Sequence, residues 1–96
     1  MDYRQYKVEL LEAIEHRANC KAGYLHTQPV RIVEENKVVW QGKIEVYQLV
    51  GHPQAQKAFG WGIPGAQKKM EYITVVGIPP LDNPVSAVKA FLASRR

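Results

Sequence analysis

The sequence predicts an α+β domain with an antiparallel four-stranded sheet, in the order α-β-β-β-β-α, spanning all 96 residues. Three observations carry this. Apolar residues recur at three- and four-residue steps near both ends. Apolar–polar alternation runs through the middle, and turn-forming residues punctuate the alternating runs. Both helices are expected to pack on one face of the sheet, and a meander order follows if successive strands are neighbours.

The first element is a helix from Tyr3 to about Ala22, with Asp2 as its N-cap. Tyr3, Tyr6, Leu10, Ala13, Ile14 and Ala18 share one side; Lys7, Glu9, Glu12 and Glu15 cover the other. Gly23 stands where a left-handed C-terminal residue is wanted. Leu25 to Glu35 is extended, and Pro29 assigns it to a sheet edge because proline cannot donate to a ladder. Glu34-Glu35-Asn36-Lys37 turns the chain, with Asn36 suited to a positive φ.

Val38 to Val50 is the clearest strand. Val38, Trp40, Ile44, Val46 and Val50 share one parity, and Gln41, Lys43, Glu45, Tyr47 and Leu49 the other. Gly42 among the apolar positions suggests a bulge or a sharp twist. A short helical turn is expected over Pro53 to Ala58, then a brief strand from Phe59 to Ile63 and a turn at Pro64-Gly65-Ala66-Gln67. Met70 to Ile78 forms the last strand, with Tyr72, Thr74, Val76 and Ile78 on one side and Ile73 and Val75 on the other; both sides are apolar, as expected of a central strand or one covered on both sides. Asn83 caps the final helix, Pro84 opens it, and it buries Val85, Val88, Phe91 and Leu92 before ending near Ser94. Arg95 and Arg96 suit its C-terminal dipole.

Composition bounds the function classes. Hydrophobic residues at 46% and charged residues at 23% are ordinary globular values, which excludes a disordered chain. The single Cys20 excludes an intrachain disulfide, and no apolar run approaches the length of a membrane span. A cytoplasmic protein without membrane association is expected. Net charge is +4, but the positive residues are scattered, so the electrostatic footprint of a nucleic-acid binder is weak.

No constellation points to catalysis, a metal or a cofactor. Glu12, His16, Cys20 and His26 lie close in sequence, yet no paired Cys-x-x-Cys or His-x-x-x-His accompanies them. Cys20 near a helix C-terminus sits at the dipole end that disfavours a thiolate. Ser86 and Ser94 lie on the final helix, away from any nucleophile-elbow turn. The glycines at 60, 62 and 65 lack the spacing of a phosphate loop.

The stretch from Gly51 to Gly65 concentrates glycine, proline, histidine and aromatic residues between two strands. His52, Phe59, Gly60 and Trp61 are the candidate binding residues, for a small ligand or a peptide beside an apolar pocket. If both helices cover one face, Tyr47, Leu49, Ile73 and Val75 remain on the other, too much apolar area for a monomer to expose. A homodimer burying that face is expected, with Trp61 near the seam. The leading function is therefore a non-enzymatic interaction domain that self-associates through its sheet. The alternative is a nucleic-acid-binding accessory protein using Lys57, Lys68, Lys69, Arg95 and Arg96 on phosphates, with Trp61 available for stacking.

Overall fold

A computed structural model describes residues 3–65, 69–79 and 83–94. The element order is α1 (Tyr3–Ala18), β1 (Lys21–Glu34), β2 (Lys37–Val50), β3 (Lys57–Pro64), β4 (Met70–Val76) and α2 (Pro84–Ser94). The sheet is antiparallel and four-stranded in the order β1-β2-β3-β4, as the meander predicts. The expected caps and turns at Asp2, Ala66-Gln67, Arg95 and Arg96 lie outside the described residues.

Helix α1 stops earlier than the sequence suggests. Asn19 takes the left-handed conformation, with φ 57°, and ends the helix, so Gly23 belongs to β1 instead. The Glu15 carboxylate accepts the Ala22 amide at 2.9 Å, which fixes the entry into β1. Glu35 and Asn36 both take positive φ, 50° and 64°, so β1 and β2 join through a two-residue turn whose twist matches the strands.

Bulges fall at Leu25 in β1 and Val39 in β2, where the register shifts, and not at Gly42. Gly42 has another role: a Cβ there would stand 2.8 Å from the Trp40 indole, which lies along its own strand. The expected helical turn after Pro53 is absent. The His52 imidazole supplies the acceptor instead: its Nδ1 receives the Gln54 and Ala55 amides, both at 3.0 Å. This ties residues 51–56 into a bent loop, and β3 starts at Lys57.

The helices lie on opposite faces of the sheet, not on one. Val30, Ile32, Ile44, Val46, Phe59 and Trp61 pack with Ala87 and Val88 of α2. Tyr47, Leu49 and Ala58 pack with Leu10, Ile14 and Ala18 of α1. The reason is the register. Phe59 pairs with Val75 and Val46, while Ala58 pairs with Val76 and Tyr47, so both parities of the inner strands are apolar and each needs cover. Val85 of α2 stays exposed, whereas Val88 is buried as expected.

Two glycines seat α1. A Cβ at Gly60 would come within 2.7 Å of Leu10 Cδ1, and one at Gly62 within 2.7 Å of Tyr6 Cε2. Their missing side chains let the helix approach β3 closely. Pairing between β2 and β3 ends at Glu45–Gly60, whereas β1 and β2 stay paired out to Glu34–Lys37. Past Gly60 the sheet therefore splits. The Tyr6 hydroxyl accepts the Gly62 amide at 3.0 Å in the split, and Trp40, Trp61 and Phe91 meet edge-to-face on the α2 side.

Helix α2 has the cap the sequence predicts. Asn83 Oδ1 accepts the Ser86 amide at 2.8 Å, the Ser86 hydroxyl reaches back to the Asn83 backbone, and Pro84 opens the helix.

Candidate functional site

The four residues expected to form a binding edge do not share a surface. His52 caps its own loop. Phe59 and Trp61 point into the α2-side core, with Trp61 only 2% exposed, and Gly60 opens on the other face beneath α1. The Trp61 Nε1–H is buried without a hydrogen-bond partner among the described residues.

The second expected set is divided as well. Tyr47 and Leu49 are buried under α1, whereas Ile73 and Val75 stand on the α2 side. The premise of one bare sheet face thus falls, because cross-strand pairing puts Trp61 opposite Ile73 and leaves Tyr47 opposite Ala58. Lys57 and Lys69 lie at opposite ends of the β3–β4 hairpin, and Lys68, Arg95 and Arg96 are outside the described residues. Among the described residues no three His, Cys, Asp or Glu side chains are placed to hold a metal ion. Among the described residues no helix is long and apolar enough to cross a membrane.

Two polar arrangements bind α1's side of the sheet. Glu45 is 2% exposed and accepts the Thr27 hydroxyl at 2.6 Å. Thr27 has only one proton to give, so the Tyr24 hydroxyl, 2.6 Å away, donates to it in turn. Nearby, the Lys7 ammonium sits 4.1 Å from the Tyr24 ring centre.

The second arrangement joins Tyr72 of β4 to Glu9 of α1, the phenol donating to the carboxylate. That bond holds the Glu9 carboxyl below its ordinary range, with a smaller contribution from Gln5. Partial burial, then the Glu9 bond and charge, push the Tyr72 phenol up to about 12. The one bond contributes to both shifts and fastens helix to sheet. A groove of about 400 Å³ opens beside Gln54, Gln56, Lys57, Gly77 and Pro79.

The sheet has two edges, and they are built differently. β1 carries Pro29, whose missing N–H leaves a gap, and a bulge at Leu25 that breaks the repeat. β4 has neither. Its sequence, Met70-Glu71-Tyr72-Ile73-Thr74-Val75-Val76, is free of proline and glycine and bears a single charge, Glu71. Every residue from Tyr72 to Val76 is partly exposed.

The ladder shows which backbone groups of β4 are committed. Gly77 N–H bonds Lys57 O at 2.8 Å and Gly65 N–H bonds Lys69 O at 2.7 Å. Alternation along an antiparallel pair then directs the amides of Glu71, Ile73 and Val75 toward β3. Those of Met70, Tyr72, Thr74 and Val76 point outward, and none has a backbone partner among the described residues. Ile78 N–H closes on Val76 O at 2.8 Å, which ends the open edge there.

The open set of Tyr72, Thr74 and Val76 escapes a reading based on unusual residues, because nothing in it is unusual. Its signal is the meander itself, which makes the last strand an edge, together with the contrast to the proline in the first. Compared with known proteins, the chain matches no family model, no curated protein and no solved structure.

Proposed function

We propose that this chain is a non-enzymatic interaction domain that works by strand addition at the outer edge of β4. The supporting observation is the asymmetry of the two edges: β1 is interrupted by Pro29 and the Leu25 bulge, while β4 offers outward amides from Met70 to Val76 and outward carbonyls as far as Thr74. Helices cover both faces of the sheet, so the edge is the surface left with unmet hydrogen-bonding capacity. An incoming strand would gain main-chain bonds from this edge and side-chain selectivity from its two alternating rows. One row is Tyr72, Thr74 and Val76; the other is Ile73 and Val75.

The test is amide exchange with a synthetic peptide copying residues 70–76, flanked by lysines for solubility. Strand addition predicts that the Tyr72, Thr74 and Val76 amides slow on titration while Ile73 and Val75 stay as slow as before. Fast exchange at Tyr72, Thr74 and Val76 that millimolar peptide leaves unchanged contradicts the reading.

Nucleic acid is the second reading, favoured by one feature. The part of the β1–β2 hairpin beyond the split exposes Arg31, Gln41 and Lys43 on the face opposite α2, around a depression of about 280 Å³. A two-stranded ribbon with such side chains fits a duplex major groove. This reading predicts duplex binding whose affinity falls steeply with salt, and loses strength on Arg31→Ala. Salt-independent or absent binding removes it.

A further inference from the structure

The open β4 edge is self-complementary, and we propose that its occupant is the β4 strand of a second copy, paired antiparallel about a two-fold axis at Thr74. This rests on the strand-addition reading and names its partner. The register follows from the residues. Centred on Thr74, the pairing sets Thr74 against Thr74, Tyr72 against Val76 and Ile73 against Val75, with Glu71 facing Gly77. Those are hydroxyl–hydroxyl, aromatic–β-branched and β-branched pairs, each of a kind that stabilises antiparallel strands.

Hydrogen-bond parity agrees. Tyr72, Thr74 and Val76 all point their amides outward, so the central pair can exchange both bonds. In the flanking pairs Val76 N–H reaches Tyr72 O, and Val76 O, which already accepts Ile78 N–H, takes Tyr72 N–H on its second lone pair. A centre at Ile73 is poorer, because it sets the Glu71 carboxylate against Val75. Parallel in-register pairing is poorer still, since it stacks Glu71 on Glu71.

The helices do not obstruct this arrangement. The axis is perpendicular to the sheet, so the α1 helices of the two copies share a face. Because α1 sits over β3 and β4, the helix axes come two to three strand spacings apart, roughly 10–14 Å. Packed helices need about 8–10 Å. On the other face, the partly exposed Ile73 and Val75 rows of the two copies meet and cover each other. The result is one continuous eight-stranded sheet ending in two proline-interrupted β1 edges.

Disulfide trapping tests the register. In a Cys20→Ser background, Thr74→Cys brings the two introduced thiols directly opposite, with Cα atoms roughly 5.5 Å apart and within disulfide reach. Ile73→Cys leaves its thiols on a diagonal, roughly 7–8 Å apart. The proposal predicts a rapid covalent dimer for Thr74→Cys and little for Ile73→Cys.

Sedimentation equilibrium supplies a second readout. Thr74→Pro removes one outward amide from each copy without touching the bonds to β3. It is expected to raise the dimer dissociation constant by about 30-fold or more, the equivalent of two lost backbone bonds. Preferential trapping at Ile73, no trapping at either position, or a monomer at millimolar concentration overturns the proposal. A monomer whose outward amides are nevertheless protected by the 70–76 peptide overturns the self-pairing alone and leaves strand addition standing. A monomer that ignores the peptide removes both.

Discussion

Three residues that look functional in the sequence have structural roles here. Gly60 is a gap into which Leu10 and Ile14 settle, so Gly60→Ala is expected to overpack the α1 seam and cost about 1–3 kcal/mol in chemical denaturation. His52 is a backbone cap made from a side chain. His52→Ala should cost about 1 kcal/mol, and His52→Asn should recover part of it, because an amide oxygen can accept the same two N–H groups. Trp61 is the centre of an aromatic cluster with Trp40 and Phe91. What made them conspicuous was residue type, and residue type alone does not separate a helix seat, a loop cap and a core aromatic from a ligand pocket. The Tyr72–Glu9 pair is legible only in three dimensions, since 63 residues separate its members. It carries a pH signature with a fixed sign. The raised Tyr72 phenol contributes stability in full below its ordinary value near 10, and that contribution disappears as pH rises toward about 12. The lowered Glu9 carboxyl acts oppositely: its contribution is present above the ordinary carboxylate range and fades as pH falls through its depressed value. Thermal melts of the wild type and Tyr72→Phe should therefore differ at pH 7–9 and converge toward pH 12. A gap that stays constant with pH would show that it is not linked to Tyr72 ionisation, and no gap would show that the bond contributes nothing.

At the scale of elements, the sequence reads well wherever local chemistry decides. The α2 cap at Asn83, the I′-like turn at Glu35-Asn36 and the parity of β4 all follow from residues within a few positions. Asn83→Ala should destabilise α2 by about 1 kcal/mol, with a loss of helical ellipticity that Asn83→Ser restores. The turn offers a gain. Both of its positions are strained for ordinary side chains, so replacing Glu35-Asn36 by Asn-Gly should stabilise the fold by about 0.5–1 kcal/mol. The elements misjudged from sequence are those set by distant partners. The bulges are fixed by the pairing of β1 with β2, and the side each helix takes by the register of β2, β3 and β4; the end of α1 is the exception, a local signal at Asn19 passed over in favour of Gly23. A period-two pattern states which residues share a face of one strand, but not which face of the next strand they join. That missing link misassigned Ile73 and Val75 to the side of Tyr47 and Leu49.

For the whole molecule, moving one helix to the other side of the sheet changes where association can occur. With both faces covered, self-association through a bare face loses its rationale, and the unequal edges take its place. One edge is interrupted by a proline and a bulge, and the other presents alternating free amides along β4. The central claim is that this second edge pairs with its own copy. Its most direct test is residue-resolved amide exchange as a function of protein concentration. The predicted result is an alternation: Ile73 and Val75 exchange slowly at every concentration, while Tyr72, Thr74 and Val76 exchange fast when dilute and become equally slow when concentrated. Fast exchange at Tyr72, Thr74 and Val76 at every concentration would contradict it.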